Sequence, residues 1–334
     1  MLKDKNLRIG FLVFPGFPMA CLTSMIEPLR AANEIVGQNI FEWTIVSEDG
    51  QRVEASAHVW FDPDISLVDL DGVDQLYLLS GPSSQFGSPD RSNGKLRKIA
   101  RHGTVMGAIS GGVFPLARSG LLEGHTASVH WCYAAAFEEE FPDFVPSTDV
   151  ITLDGRRVTA SGAASAFDVS LHLIEDALGA NVATEVACWF QHPLVRGQGV
   201  SQRKPTFASD STSDMLPPVM RDAVAMFTDH LDDPLNIADV ADAVGVSVRQ
   251  LERMFQKTTG RSPLVYYRML RMHKARQLLL YGTYTMTQVA VAVGYSSSST
   301  LIKNYIEVFG IHPKEDRKKV NMFRVRENRI VPPV

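Results

Sequence analysis

Two stretches of this sequence hold residue types and spacings suited to chemistry. The first runs from Gly245 to Arg276. It carries eight basic residues (Arg249, Arg253, Lys257, Arg261, Arg268, Arg271, Lys274 and Arg276) against one acid, Glu252. Cations at this density suit the phosphates of a nucleic acid, and Arg and Gln side chains also reach base edges. The second is Ala108-Ile109-Ser110-Gly111-Gly112, where an apolar run meets small residues and then an apolar helix start, Val113–Ala117. A strand turning sharply into a helix through such residues has the shape of a nucleophile elbow, one glycine short of G-x-S-x-G. Ser110 is the hydrolytic candidate there.

Charge separates the two stretches. The chain carries a net −4, yet from Pro217 onward 17 Lys and Arg face 11 Asp and Glu, leaving +6, with −10 on the residues before. An acidic body with a basic end points to a polyanion as partner of the basic end. The 334 residues suffice for two domains, and 45% hydrophobic with 21% charged is a globular composition. No apolar run reaches membrane-spanning length, and Met1–Phe14 lacks a small-residue cleavage site, so a cytoplasmic protein is expected, without membrane contact. Cys21, Cys132 and Cys188 are odd in number and widely spaced, which argues against a disulfide framework or a zinc site. They are expected as buried thiols, and neither metal nor cofactor is expected.

The elements behind these stretches differ in kind. Short apolar runs at Leu7–Val13, Trp43–Val46, Leu76–Leu79 and Val105–Ile109 alternate with helical patterns at Pro28–Val36, Leu96–Arg101, Ala166–Leu178 and Ala183–Phe190. Such alternation predicts an α/β domain, a mostly parallel sheet flanked by helices, over 1–199. A linker rich in Ser, Thr, Asp and Pro follows at 200–218. An all-α domain is expected over 219–320, and a basic tail ending in Pro over 321–334.

The helical domain repeats itself. Ile237, Val240, Ala241 and Val244 precede Gly245-Val246-Ser247; Met286, Val289, Ala290 and Val293 precede Gly294-Tyr295-Ser296. Each quartet makes one apolar stripe, the glycine turns the chain, and the serine is expected as the next N-cap. Second helices are predicted over Val248–Thr259 and Ser298–Phe309. They leave Arg249, Gln250 and Arg253, then Ser298, Thr300, Lys303 and Asn304, for contacts outside. The units close with Gly260-Arg261-Ser262-Pro263 and Gly310-Ile311-His312-Pro313, at an offset of 50 rather than 49, so one turn has an extra residue. Between the units, Leu264–Tyr281 predicts a helix of about 27 Å, long enough to hold two helix-turn-helix units one DNA turn apart. Arg268, Arg271 and Lys274 on it are candidates for phosphates.

Leu235–Arg317, with its Arg268–Leu279 stretch, resembles the AraC/XylS family of regulators. The resemblance implies reading of two adjacent major-groove segments of double-stranded DNA, and contact with RNA polymerase. The family has Phe where this chain has Tyr295 and Leu301, and Tyr where it has Asp316.

Gly10–Asn33, Leu78–Ser84 and Gly107–Trp131 resemble the PfpI/ThiJ-type, glutamine-amidotransferase-like domain, and most of all the GlxA-like regulators that fuse it to AraC-type ends. Enzymes of that superfamily carry Cys at the elbow, assisted by a Glu of the first helix and often a His. Here Ser110 holds the elbow, and the Glu matches Glu27. Serine needs a strong adjacent base, and a carboxylate is a poor one, so the elbow is expected to be vestigial and the chain not an enzyme. The pocket is expected to take a ligand through Glu27, Ser110, Gly111, His130, Trp131, Phe17 and Trp43. Further aromatic candidates are Phe14, Trp60, Phe86 and Phe167. Glu27–Asn33 with Trp43 resembles regulators of betaine, carnitine or arginine catabolism, which implies a small nitrogenous effector.

The expectation is a homodimeric DNA-binding regulator, an activator by family habit. Two alternatives stay open. One is a serine or amidase-type hydrolase built on Ser110. The other is a ligand-independent DNA-binding protein whose first domain only dimerises.

Overall fold

The computed structural model describes residues 6–192, 195–202, 216–321, 325–326 and 329–330. They form two compact units: the described residues up to Gln202 together with those from Asn321 on, and the described residues from Leu216 to Val320. Most of the expected linker and most of the tail lie outside the described residues.

The first unit is an α/β domain. Its elements run β1 (Leu7–Val13), α1 (Met19–Val36), β2 (Phe41–Ser47), β3 (Val53–Glu54), β4 (Trp60–Phe61), β5 (Ile65–Ser66), β6 (Gln75–Ser80), α2 (Pro89–Arg101), β7 (Val105–Ser110), α3 (Val113–Arg118), α4 (Ala134–Glu140), β8 (Ile151–Asp154), β9 (Arg157–Ala160), α5 (Ala163–Leu178) and α6 (Ala180–Trp189). Seven strands form one sheet in the order β5-β2-β1-β6-β7-β9-β8. Every pairing in it is parallel except β8 with β9. The central strands are buried nearly end to end, as a sheet covered on both faces requires. One core runs through Ile9, Phe11, Leu29, Tyr77, Leu79, Ile109, Val169 and Ile174. Strand order reverses at β1, which has β2 on one side and β6 on the other. In open α/β sheets, ligands bind outside the carboxyl ends of the strands at such a point.

The parallel core matches the strand alternation, and the helices extend further than periodicity suggested. Helix α1 starts at Met19, with Pro28 inside it. A proline nitrogen cannot donate the helical bond, but α1 is also anchored from α5, whose Ser170 hydroxyl donates to the Met25 carbonyl at 2.9 Å. The first unit also extends past its expected end. Val150 N–H donates to the Val200 carbonyl at 2.8 Å, and the Gln202 amide donates to the Val129 carbonyl at 2.9 Å.

The second unit is all helical: α7 (Pro218–Asp229), α8 (Ile237–Ala243), α9 (Val248–Thr259), α10 (Pro263–Tyr281), α11 (Met286–Ala292), α12 (Ser298–Phe309) and α13 (Pro313–Asn321). Met220, Phe227, Val240, Ala241, Leu251, Phe255, Tyr266 and Tyr267 form its first core, which Leu216 also enters. Val289, Ala290, Val293, Leu301 and Tyr305 are buried in the second half. Later in the sequence, Val325–Arg326 pairs antiparallel with Arg329–Ile330, residues that group with the first unit. Among the described residues no helix is long and apolar enough to cross a membrane, and no group of three His, Cys, Asp or Glu is placed to hold a metal ion.

Candidate functional site

The two helix-turn-helix units are built alike. Ser247 caps α9 in a capping box: Gln250 N–H donates to its hydroxyl at 3.3 Å, and Ser247 N–H donates to the Gln250 side-chain oxygen at 2.8 Å. Gly260 ends α9 in the left-handed region at φ +68°, and Gly310 ends α12 at φ +66°. The cap of α12 is Ser297, not the expected Ser296; Thr300 N–H donates to its hydroxyl at 3.3 Å. Ser296 is the extra residue in the second turn, which accounts for the change of offset from 49 to 50. Both second helices have 12 residues, as predicted.

Arg249 and Arg253 are exposed and stand one turn apart on α9; Lys303 is exposed on α12. The other DNA candidates are engaged to different degrees. Gln250 spends its side-chain oxygen on the cap of α9. The Thr300 hydroxyl shares a 2.9 Å hydrogen bond with Ser297, and the Asn304 amide donates to the Thr300 carbonyl at 2.8 Å. Ser298 is the half-buried first residue of α12. Arg268 lies 3.9 Å from Glu307, and Lys274 is half-buried.

Arg271 departs furthest from its expected role. Its guanidinium donates to the carbonyls of Val293 and Gly294 at 2.7 and 2.6 Å and covers the Tyr295 ring at 4.1 Å. Burial lowers its pKa. It holds the second turn rather than facing phosphate. The same turn presses on the loop before α8: a Cβ on Gly294 would lie 2.7 Å from the Asp232 carbonyl oxygen. Asp316, where the resembling family has Tyr, is 3% exposed; it pairs with Arg276 at 2.8 Å and accepts from the Tyr305 hydroxyl at 2.6 Å. Sequence reasoning also missed Arg317, whose guanidinium donates to the carbonyls of Leu279, Gly282 and Tyr284.

In the first unit the elbow is real. Ser110 ends β7 at φ +56°, unusual for a residue with a Cβ. Gly112 is required by close approach, since a Cβ there would stand 1.9 Å from the Leu78 carbonyl oxygen. Gly111 would likewise meet the Ser80 carbonyl oxygen at 2.4 Å.

The residues expected around the elbow are scattered. Glu27 is exposed on α1 and binds Arg30 at 3.0 Å, because Cys21, Leu22, Met25, Pro28 and Leu29 form the buried face of the helix. Trp43 is half-buried beside Arg30 in a shallow cleft. It pairs with Ile9 near the start of β1, whereas Ser110 pairs with Ser80 at the far end of β6. That offset is about 16 Å along the strands. Phe17 is fully buried against Phe61 at 5.3 Å.

His130 and Trp131 lie in a loop before α4. The His130 Nδ1 faces Cys132, 3.2 Å from its backbone N and 2.9 Å from its Sγ, and burial lowers the imidazole pKa. Trp131 N–H donates to the Gln202 side-chain oxygen at 2.9 Å. Asp168, fully buried in α5, holds His192 at 2.7 Å and Arg196 at 2.8 Å. Of the cysteines only Cys21 is buried; Cys188 is exposed.

What the carboxyl ends of β1, β2 and β6 do enclose is a cavity of 570 Å3, lined by Phe14, Glu48, Arg52, Glu54, Trp60 and Phe86 among others. Phe14, Trp60 and Phe86 were legible as aromatic candidates; Glu54 carried no motif.

Comparison with known proteins follows the two units. Residues 8–176 match the DJ-1/PfpI family, and residues 240–319 match a helix-turn-helix domain. The chain is 35% identical over 310 residues to the HTH-type transcriptional regulator GbdR of Pseudomonas aeruginosa, covering 93% of this chain and 84% of the relative. The chain belongs to the AraC family of transcriptional regulators, in the branch with a DJ-1/PfpI first domain. Family membership makes it a DNA-binding regulator by its helix-turn-helix domain. The regulator CdhR of the same organism is 31% identical over 307 residues, covering 92% of this chain and 90% of the relative. A crystal structure of an AraC family regulator from Pseudomonas putida is 26% identical, covers 55% of this chain and 99% of that one, and has a TM-score of 0.50.

Proposed function

We propose that this AraC-family regulator reads two adjacent major-groove segments of double-stranded DNA through the N-terminal halves of α9 and α12. The observation that carries the reading is the twinned capping of the two helices on either side of the 19-residue α10. Arg249, Arg253 and Lys303 are the base and phosphate contacts, with Arg268 and Lys274 toward phosphate. Gln250, Thr300, Asn304 and Ser298 set the helix ends, and Arg271 holds the second turn. The first domain senses a small nitrogenous metabolite and pairs two copies of the chain, so that the effector alters how two DNA-binding ends engage neighbouring sites. The protein acts in the cytoplasm, as an activator that contacts RNA polymerase.

In this reading the chain turns over no substrate. Serine attack needs a base at the hydroxyl. Here Glu27 faces Arg30, the His130 Nδ1 faces Cys132, and Asp168 is taken by Arg196 and His192. A hydrolase stays the second reading because Ser110 keeps a strained backbone, and strain concentrates at functional sites. Hydrolysis of activated esters that Ser110→Ala abolishes would establish it.

The deciding experiment is operator binding by Arg253→Ala, followed by fluorescence anisotropy at fixed salt. A loss of tenfold or more with an unchanged circular dichroism spectrum is expected. Unchanged affinity would remove α9 from the interface.

A further inference from the structure

We infer that the cavity at the carboxyl ends of β1, β2 and β6 binds a small zwitterion whose cationic nitrogen bears N–H groups, anchored on Glu54. This rests on the first domain being the sensor, and it gives that sensor a site away from Ser110 and Glu27.

Glu54 is 5% exposed. Its Oε1 lies 2.7 Å from the His58 Nδ1, while its Oε2 is buried with no hydrogen-bond partner. A buried carboxylate oxygen left unpaired is costly, and Glu54 also lines the cavity, so that a turn of its carboxylate would offer this oxygen to a donor there. The two other acids of the wall are engaged. Glu48 accepts from Gly87 N–H at 2.6 Å, Ser88 N–H at 2.9 Å and the Ser92 hydroxyl at 2.7 Å. Asp49 accepts from Gln51 N–H at 3.0 Å. Asp49 is exposed to solvent, so of the three Glu54 is the carboxylate whose unpaired oxygen is buried.

Its surroundings fit an organic cation. Phe14 and Phe86 lie with ring centroids 4.8 Å apart, and Trp60 is 47% exposed although it lines the cavity. Aromatic faces attract a desolvated cation. Arg52 stands at the same wall, 5.0 Å over the Trp60 ring, with Asp62 at 3.5 Å in an exposed and therefore weak pair. A guanidinium beside a carboxylate disfavours a simple diamine and favours a ligand with its own carboxylate. The volume of 570 Å3 lies within the range of small-molecule sites. The unpaired Oε2 requires a donor, which a protonated amine supplies and a trimethylammonium group does not. His58, on the turn that follows Glu54, is held at φ +57°, a strained setting that keeps its ring on the carboxylate.

The test is calorimetric titration of the full-length protein with lysine, 4-aminobutyrate and their N-trimethyl counterparts. Saturable binding is expected for an N–H compound, at least tenfold tighter than for its trimethylated partner. Glu54→Gln should weaken it tenfold or more, and the exposed-side Trp60→Leu several-fold, while operator binding without ligand stays unchanged in both. Should Glu54→Gln lower thermal stability, the Trp60→Leu titration carries the test alone. Binding unaffected by both variants, binding by trimethylated compounds only, or no binding by any of the four overturns the site. Operator affinity is measured in parallel. Binding at Glu54 that leaves operator affinity unaltered keeps the site and removes the sensor reading; operator affinity altered by a compound whose binding neither variant weakens keeps the sensor reading and removes the site.

Discussion

The Arg196 guanidinium lies 2.8 Å from the carboxylate of Asp168, which is fully buried in α5. Around that pair the chain leaving α6 is pinned at successive points: His192 on Asp168, the Arg196 carbonyl on His172 at 3.1 Å, Gly199 N–H on Asp149 at 2.9 Å, and Gln202 on Val129 and Trp131. Removing the charge strands a half-buried guanidinium. Asp168→Asn is expected to cost about 3 kcal/mol in urea denaturation of the full chain. A change below about 1 kcal/mol would mean that the strap is held by its backbone bonds alone.

Arg271 and Lys303 are both cationic near α12 and should fail differently. Arg271→Ala removes two carbonyl contacts and the stacking on Tyr295 from a half-buried site, so it lowers thermal stability by about 2 kcal/mol. Lys303→Ala leaves stability alone and reduces the salt slope of operator binding by about one. Identical effects in both assays would contradict the assignment.

The elbow offers a pair of opposite outcomes. Ser110→Gly relieves the left-handed backbone and is expected to stabilise the first domain by about 0.5–1 kcal/mol. Gly112→Ala drives a methyl group into the Leu78 carbonyl and is expected to prevent folding of the domain, read as insoluble expression.

His273 packs edge-on to Phe309 at 5.1 Å. Burial, then the charge of Arg276, lowers its pKa from 6.5 to about 4. Below pH 6.5 the unfolded chain binds the proton and the folded chain does not, so stability falls as pH drops from 6.5 toward 4, by at most about 3 kcal/mol. His273→Gln should flatten the acid limb of the second domain's denaturation; an unchanged limb would assign the loss to other groups.

The DNA-binding half was the more legible because its signals are local. Stripe, glycine, cap and proline lie within a few residues of one another, and among these signals the slip was one serine in the second turn; the inward roles of Arg271 and Arg317, which depend on contacts distant in sequence, were not legible. The first domain's sheet was readable from its apolar runs, yet its edge hairpin of Ile151–Asp154 with Arg157–Ala160 was overlooked, although Asp154-Gly155 is a hairpin signal. The candidate ligand residues are dispersed over the first domain rather than gathered at the elbow. Glu27 was expected from the resemblance as the Glu of the first helix, whereas the buried face of α1 is made by Cys21, Leu22, Met25, Pro28 and Leu29 and leaves Glu27 on the outer face. Glu54 was invisible because its setting comes from a two-residue strand brought beside the β1 loop, where the Gly16 N–H donates to its carbonyl at 2.7 Å.

The wedging of Gly294 against the Asp232 carbonyl, reinforced by Arg271, ties the two halves of the second unit together and opposes their splaying. Such an assembly works as a caliper of fixed jaw width. Each base pair inserted between the two contacted segments turns one of them by about 35° around the duplex axis. A flexible pair of readers would follow that rotation, and a locked pair cannot. On the proposed reading of two segments, the length of the stretch between them is then held as strictly as the bases of either.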